Sequence, residues 1–333
     1  MTIVKNPVWH AVSRVFLCLG LLVVCAKTSY SATPLQTHDL NPLTLIYGLP
    51  LASPASLLTA EQSLFSVSLN ASNTINVEAS GSENLFIDGE TKELNFIYSF
   101  ALKNGTNLRL RVPFISHEAG SLDSFIDDFH HAFGFPEGQR PLYPQHQFLF
   151  LYQQNNVDLL RIDSPNQGMG DISIDIAYPL YSSQLQSGSL WSSLKLPTGD
   201  AALLTGSERA DIAVWYAHET HFRLNWSRYY NIGFMLTGES ELLAEQQKTD
   251  VFFGMAGIEW RTSQRIILNI QFDFHSAFYQ SQTEFLGDSI QISSGGHIKL
   301  NNDNRIEIVV IEDIQVGASP DVTFQLGFSQ SFH

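Results

Sequence analysis

The stretch Val322-Thr323-Phe324-Gln325-Leu326-Gly327-Phe328-Ser329-Gln330-Ser331-Phe332, one residue from the C-terminus, decides the fold. Apolar residues occupy the even positions from 322 to 328, and small or polar residues occupy the odd positions from 323 to 329. This alternation is typical of a strand with one face in lipid and the other in a lumen. Gln325, Gly327 and Phe332 also fit the spacing of a barrel-assembly signal, although Gln330 stands where an aromatic residue is usual. The stretch predicts the closing strand of an outer-membrane β-barrel.

The N-terminus has the pattern of a secretory signal peptide. Lys5 and Arg14 supply positive charge around the start of an apolar core, Val15 to Ala26, which is too short to span a bilayer. We therefore expect residues 1–31 to be a signal peptide that is cut after a position between 26 and 32. Residues 32–333 would form one barrel domain in the cell outer membrane.

The composition of the mature chain excludes several kinds of chemistry and partner. Cys18 and Cys25 would leave with the signal peptide, so disulfides, zinc thiolates and cysteine nucleophiles are excluded. Removing Lys5, Arg14 and Lys27 lowers the basic count from 18 to 15 against 33 acidic residues, a net charge of −18. Nucleic-acid binding needs clustered Lys and Arg and is not expected. The expected partners are outer-membrane lipid and lipopolysaccharide, the barrel-assembly machinery through the C-terminal strand, and a small solute; no cofactor is expected.

Alternating segments recur about twelve times along the mature chain. In one of them Ile266, Leu268 and Ile270 would face lipid while Asn269 and Gln271 face inward. Most segments approach the roughly 9–11 residues that a tilted membrane strand needs. The predicted strands lie near 62–71, 91–102, 105–115, 171–181, 188–197, 207–217, 221–237, 250–261, 263–274, 288–300, 303–312 and 320–332.

The connections between these segments alternate in length. Gaps after odd-numbered strands are long, such as 72–90 and 116–170, and gaps after even-numbered strands are short, such as Lys103-Asn104 and a turn at 218–220. Short periplasmic turns and long external loops are typical of a membrane barrel, and a soluble sandwich has no such asymmetry. The predicted fold class is all-β: a single antiparallel transmembrane β-barrel of about 12 strands. A hairpin around Asn155-Asn156 would make 14 strands if it joined the wall.

The order of several short segments resembles an uncharacterised family of Gram-negative outer-membrane β-barrel proteins, known only as a domain of unknown function. Together these segments cover nearly the whole mature chain. The resemblance implies an outer-membrane barrel and brings no established activity or catalytic residues. The segments are Asn41-Pro42-Leu43, Tyr47-Gly48-Leu49-Pro50, Ile87-Asp88-Gly89-Glu90-Thr91, Phe125-Ile126-Asp127, Phe129-His130, Phe133-Gly134-Phe135-Pro136-Glu137-Gly138, Lys195-Leu196-Pro197-Thr198-Gly199-Asp200, His275-Ser276-Ala277-Phe278-Tyr279, Glu312-Asp313 and Ala318-Ser319-Pro320-Asp321-Val322.

Charged side chains on the polar phase of the strands are expected to face the lumen. Arg109, Arg111, Lys195, Arg223 and Asp273 are the predicted lining residues. Fixed charges set solute selectivity in an open pore, but the same charges can also fill a barrel as salt-bridged networks. The sequence leaves both interpretations open. Aromatic residues near strand ends, Trp191, Trp215, Trp226 and Trp260 among them, are predicted to form interfacial girdles.

The loop 116–170 is the least barrel-like part of the chain. Apolar residues recur at helical spacing at Leu122, Phe125, Ile126, Phe129 and Phe133, which predicts a short amphipathic helix. Asp127 and His130 lie three residues apart, as two ligands on one helical face would. They are predicted to form a gate at the pore mouth; the alternatives are a cation site and a solvated helix face.

Two histidine motifs invite catalytic interpretations. His218-Glu219-Thr220-His221 is one residue short of the helical zinc-protease motif. His275 and Ser276 would point to opposite faces of a strand, so they could act as a lipid hydrolase only if the strand has ended. No catalytic, cofactor or metal residue is predicted. The leading hypothesis is a channel or passive transporter for small solutes; the alternatives are a lipid-modifying enzyme and a structural or assembly barrel without an open pore.

Overall fold

Twelve antiparallel strands close into a barrel in the computed structural model, which describes residues 31–121, 126, 131, 142–314 and 317–333. The wall runs in the order β1, β2, β3, then β7 to β15, and it closes where β15 pairs with β1 from Ser63↔Phe332 to Asn73↔Val322. The strands are β1 Ser63–Ser80, β2 Glu83–Ala101, β3 Asn107–Glu118, β4 Leu149–Gln154, β5 Val157–Ile162, β6 Asn166–Met169, β7 Ser173–Ser182, β8 Gln186–Lys195, β9 Asp211–Arg223, β10 Trp226–Leu236, β11 Asp250–Arg261, β12 Ile266–His275, β13 Ser289–Lys299, β14 Asn304–Asp313 and β15 Val322–Phe332. Short 3-10 helices span Ala201–Leu203 and Glu284–Leu286.

Three further strands lie outside the closed wall. The hairpin β4–β5 turns at Asn155-Asn156, as predicted, but it pairs with the outer part of β2, from Glu83↔Gln154 to Asp88↔Leu149. The wall itself therefore has 12 strands and not 14. The short strand β6 pairs with the end of β3, ahead of β7 along the same edge.

Two predicted connections are strands. The expected loop 72–90 is a continuous hairpin, because β1 and β2 stay paired to Ser80↔Glu83 and turn at Gly81-Ser82. Since β1 leaves β15 at Asn73, about seven residues project roughly 23 Å beyond the rim at 3.3 Å per residue. The expected turn at 218–220 is also wrong: β9 continues to Arg223, and the turn is formed by Leu224-Asn225. Polar residues at 218–221 suggested a turn, although they keep the strand alternation.

The two faces of the wall differ as the sequence predicts, with one exception. Outward side chains such as Ile174, Ile232, Ile270 and Leu326 are apolar and exposed all around the barrel, which is the surface that lipid requires. Most inward side chains are polar and buried. The predicted girdle residues Trp191 and Trp215 are the exception, since both are buried inside the barrel. Within the described residues, no helix is long and apolar enough to cross a bilayer.

The long connections and the projecting β1–β2 hairpin leave one end of the wall, and the other short turns leave the opposite end, so we call these the long-loop end and the short-turn end. By the usual asymmetry of membrane barrels, the short-turn end is periplasmic. The helix predicted in loop 116–170 falls mostly outside the described residues. Ile126 and His131 are described, and both have helical backbone.

Candidate functional site: the occupied lumen

Residues 31–58, which we call the lumen segment, form an inverted U inside the barrel. The ascending limb (31–40) starts near the short-turn end, where the Ala32 N–H donates to the Glu219 carboxylate at 3.1 Å. At the long-loop end the Asn41 side chain donates to the Phe285 carbonyl at 2.9 Å. The descending limb (48–58) returns to the short-turn end and leads into β1. Nearly every residue of the segment from 32 to 55 is buried, so the segment fills the lumen.

The ascending limb runs parallel to β12 in a fixed register. Each contact joins residues that are 236 positions apart in sequence, because both chains are extended and both use every second residue. The inward side chains of β12 thereby replace the backbone ladder that a neighbouring strand would provide. The contacts are Asn269 Nδ2 to the Thr33 carbonyl at 3.0 Å, Gln271 Nε2 to the Leu35 carbonyl at 3.0 Å, Thr37 Oγ1 to Asp273 Oδ2 at 3.1 Å, and His275 Nε2 with Asp39 Oδ2 at 2.9 Å.

Three carboxamide side chains hold the lumen segment by the same two-bond geometry, and we call them amide clamps. In each clamp the side-chain oxygen accepts a backbone N–H while the side-chain nitrogen donates to the carbonyl of the same residue. The distances, oxygen bond first, are 3.1 and 3.0 Å for Gln271 on Leu35, 2.7 and 3.1 Å for Asn231 on Ser53, and 2.8 and 3.0 Å for Asn107 on Leu58. The clamps satisfy backbone groups that would otherwise be buried without partners.

Lys195 anchors the start of the descending limb. Its ammonium lies 2.7 Å from Asp171 Oδ2 and 3.0 Å from Asp211 Oδ2, and it donates to the Ile46 carbonyl at 2.9 Å. Asp211 in turn accepts the Gly48 N–H at 2.8 Å. A side chain at Gly48 would place its Cβ 3.0 Å from the Lys195 Cβ, so the close approach favours glycine there. Wall and segment are joined here by buried charge.

An apolar arc of the inner wall receives the descending limb. Trp191 and Trp215 stack with ring centroids 5.8 Å apart, and the Trp191 indole donates to the Pro54 carbonyl at 3.2 Å. The Arg109 guanidinium lies 4.7 Å from the Trp191 ring, pairs with Asp175 and donates to Ser53 Oγ at 3.0 Å. Together with these rings, the arc consists of Ala177, Ala213, Ala217, Met235, Phe253 and Met255, which belong to one buried cluster with Leu49, Ala52 and Ala55.

The turn of the lumen segment, residues 41–47, is covered by aromatic side chains from the loops. Tyr47 stacks on Phe278 with ring centroids 4.7 Å apart and planes 7° apart. The Tyr279 hydroxyl donates to the Leu43 carbonyl at 2.9 Å. Burial raises the pKa of both phenols, so both are neutral at physiological pH. This packing closes the long-loop end over the segment.

A cavity of about 310 Å³ remains between the lumen segment and the wall on the β1, β14 and β15 side. It is lined by serine hydroxyls, including Ser66, Ser68 and Ser329, and by Arg305 and Glu307. Further along β14, Leu35 packs against Val309 and Ile311, and all three are buried. Along β14 this apolar contact lies on the long-loop side of the cavity.

The family described as "protein of unknown function (DUF3187)" matches residues 14–332. The chain belongs to the DUF3187 family. No curated protein matches it. Among solved structures, the chain is similar to the COG4313 outer membrane channel from Pseudomonas putida F1, at 11% identity over 84% of this chain and 98% of that chain, with a TM-score of 0.57.

Two other solved barrels resemble the DUF3187 chain more loosely. The KdgM porin, in complex with disordered oligogalacturonate, shares 9% identity over 81% of this chain and 99% of that chain, with a TM-score of 0.45. The Pseudomonas putida toluene transporter TodX shares 9% identity over 83% of this chain and 91% of that chain, with a TM-score of 0.41. At these identities the similarity to the COG4313 channel establishes the fold: the DUF3187 chain is an outer-membrane type β-barrel.

Four of the five predicted lining residues face the lumen of the DUF3187 barrel. Arg109 and Lys195 contact the lumen segment directly, Asp273 accepts from Thr37, and Arg111 lies 3.5 Å from Glu93. Arg223 is exposed beside the turn after β9, since the strand ends there. The predicted gate residues Asp127 and His130 lie outside the described residues.

The histidine motifs of the DUF3187 chain adopt no catalytic geometry. His275 faces the lumen toward Asp39, and its Nδ1 lies 3.1 Å from the Ser276 carbonyl oxygen rather than the hydroxyl. The Ser276 hydroxyl accepts the Phe252 N–H at 3.0 Å. His218 and Glu219 are neighbours in β9 and point to opposite faces. Among the described residues, no three His, Cys, Asp or Glu side chains are grouped to hold a metal ion.

Sequence reasoning missed the partners of the lumen segment. The inward-facing partners are Glu93, Glu219, Glu259 and Gln271. The alternation of each strand predicts that these side chains face the lumen. What the alternation could not show was that residues 31–58 enter the barrel, because the segment is extended without a periodic pattern of its own.

Proposed function

We propose that this protein is an outer-membrane channel for small polar or cationic solutes, gated by its own N-terminal lumen segment. The observation that carries the proposal is the way in which the segment is held. The twelve wall strands complete their ladder without it, from β1 round to β15. The segment is attached by side chains of the wall, chiefly the three amide clamps. The segment is an insert in the lumen. If it left, the hydrogen-bonded wall of twelve strands would stay intact.

The contacts of the two limbs favour movement of the ascending limb. Its neighbours in β12 and β13 are polar, so water could replace those hydrogen bonds, and its apolar contact with β14 is limited to Leu35 on Val309 and Ile311. The descending limb instead packs on the apolar arc, which water would wet unfavourably. A passage would therefore open along β1 and β12 to β15, where the cavity of about 310 Å³ already extends from the short-turn end.

The exposed passage would carry fixed negative charge at Glu219 and Asp273, which have no Arg or Lys within 4 Å among the described residues, whereas Arg111 and Arg261 pair with Glu93 and Glu259. The ascending limb covers Glu93, Glu219, Glu259 and Asp273, each of which accepts a hydrogen bond from it or pairs with it. Fixed carboxylates in a pore favour cations. A barrel of twelve strands lies between the filled eight-stranded and the open sixteen-stranded class, which suits a narrow path.

The test uses single-channel conductance of the refolded mature protein in planar bilayers. Thr37→Cys with Asp273→Cys places two thiols at partners whose oxygens are 3.1 Å apart, in a mature chain expected to lack cysteine. The matched control is Gln153→Cys with Asp158→Cys, a cross-strand pair 2.6 Å apart in the exposed β4–β5 hairpin, which lies outside the wall. We expect oxidation to silence the first variant reversibly and to leave the control unchanged.

Deletion of residues 32–40 provides the converse measurement. We expect a heat-modifiable, folded barrel with higher and longer-lived cation conductance than the intact chain. A folded deletion variant that stays silent would refute the gated channel. It would then favour the structural or assembly barrel, in which the lumen segment is a permanent filling.

A further inference from the structure

The outer surface of the barrel carries an apolar groove of about 730 Å³ across β10, β11, β12 and β13. Its floor is low because Ala256 and Ser294 are small where neighbouring outward positions are large. Ile258, Leu268, Ile270 and Phe272 stand around it, together with Tyr230. The groove is lined mainly by apolar side chains, as a bound hydrocarbon chain requires, and it lies in the part of the wall that faces lipid.

The short-turn end of the groove lies at the level of the membrane interface. Trp226 and Trp260 line it there and stack face to face, with ring centroids 5.3 Å apart and planes 6° apart. Tryptophan is enriched where the hydrocarbon core meets the headgroups. Because the short-turn end is periplasmic, this interface belongs to the inner leaflet, which consists of phospholipid.

Arg228 lines the same groove, one outward position above Trp226. Its side chain is exposed on the outer face, and no ion pair joins it to an acidic group within the described part of the chain. Placing a guanidinium against the apolar part of the membrane costs free energy unless an anion pairs with it. The anion that the inner leaflet supplies is a lipid phosphate. The groove thus combines a hydrocarbon surface with a positive charge at headgroup level.

A polar network lies beside Arg228 on the same outer face. The Tyr181 hydroxyl lies 2.8 Å from His218 Nδ1 and hydrogen bonds to Tyr216, and His218 Nε2 lies 2.7 Å from Thr220 Oγ1. Register places Thr220 opposite Arg228 and His218 opposite Tyr230. These hydroxyl and imidazole groups would be poorly placed against hydrocarbon, but they suit a headgroup.

We propose that this groove is a specific site for one phospholipid of the inner leaflet. The phosphate binds the Arg228 guanidinium between the tryptophan pair and the tyrosine–histidine network. One acyl chain lies along Tyr230, Ile258 and Phe272 over the floor at Ala256. The site faces away from the lumen, so it does not depend on the gating proposed above.

The experiment is native mass spectrometry of the purified mature protein in detergent, with added phosphatidylglycerol and, separately, a diacylglycerol with the same chains. We expect one phosphatidylglycerol per barrel to be retained, with an apparent affinity about tenfold lower in Arg228→Gln, as loss of one charge-assisted contact implies. Ala256→Phe, which fills the floor, should also release the lipid. Arg265→Gln, an exposed arginine in a turn at the same membrane face, is the matched control and should bind as the unaltered protein does.

The outcomes separate a site from ordinary membrane solvation. Equal retention in Arg228→Gln and the control, or several lipids bound without preference, would overturn the proposal in favour of annular lipid. Equal retention of diacylglycerol would overturn the role of the phosphate. Heat-modifiability on gels confirms that each variant is a folded barrel before it is compared.

Discussion

His275 Nε2 and Asp39 Oδ2 lie 2.9 Å apart and join the last residue of β12 to the top of the ascending limb. Both side chains are nearly fully buried, with 5% and 2% of their surface exposed. The contact is the uppermost of the series that fixes the limb against β12. Its strength therefore bears on whether the limb stays in the lumen.

Asp39→Asn should loosen the ascending limb. The substitution replaces a buried hydrogen bond to a carboxylate with a weaker one to a neutral amide, a loss of about 1–3 kcal/mol. We expect the open probability in planar bilayers to rise at least about tenfold. Asp303→Asn is the control, because Asp303 pairs with His333 at 3.4 Å on the exposed surface. Equal behaviour of the two variants would show that the buried pair does not hold the gate.

Each amide clamp should protect its own backbone site. Gln271→Ala should raise hydrogen exchange in the peptide that contains Leu35, and Asn231→Ala should raise it in the peptide that contains Ser53. Loss of both bonds should speed exchange about tenfold or more at the matching site, at about 1 kcal/mol per bond. The two variants are each other's controls. A uniform rise across the lumen segment in both would mean that the clamps act through global loosening of the barrel.

Much of the fold follows from the sequence for a simple physical reason. A membrane wall must alternate apolar and polar residues, so Ile266 to Phe274 and Val322 to Phe328 reveal both strand and facing direction. The same rule does not limit strands beyond the membrane, so the alternation does not predict the outer half of the β1–β2 hairpin. Tryptophan suits a membrane interface, which predicts a girdle position for Trp191 and Trp215, but both pack against the lumen segment inside the barrel.

The occupied lumen could be predicted only in part. Lys195, Arg109 and Asp273 fall on the inward phase, and that placement follows from alternation alone. Their partners lie on residues 31–58, more than a hundred positions away for Lys195. The sequence of an extended segment without a periodic pattern does not predict which strand it contacts. Its register against β12 is therefore seen only in the structure.

Lys195→Met should destabilise the whole barrel as well as the lumen segment. The substitution leaves the buried carboxylates of Asp171 and Asp211 without their cation, a loss of about 3–5 kcal/mol. We expect a lower midpoint of thermal unfolding, measured by the gel shift of the heat-modifiable form. Lys103→Met, in an exposed turn, should leave the midpoint unchanged, because such surface substitutions change the free energy of unfolding by about 0.5 kcal/mol or less. An unchanged midpoint for Lys195→Met would show that the carboxylates are protonated or hydrated.

The contacts of Ala32 lead us to predict where the mature chain begins. Glu219 is 1% exposed, and the basic side chain within 4 Å of it among the described residues is the His221 imidazole, at 3.8 Å. Cleavage after Ser31, within the range expected for the signal peptide, would turn the Ala32 nitrogen into an ammonium 3.1 Å from Glu219 Oε2. That charge would neutralise the buried carboxylate and fasten the start of the ascending limb.

The intact mass of the protein purified from membranes decides this point, and we expect a chain that begins at Ala32. With that N-terminus, Glu219→Gln should remove a buried ion pair and raise conductance. Acetylation of the α-amine of the unaltered protein should have the same effect. A mature chain that begins at Lys27 would carry its ammonium five residues earlier. Acetylation of that α-amine should then leave conductance unchanged, because the Ala32 nitrogen would remain an uncharged amide beside Glu219.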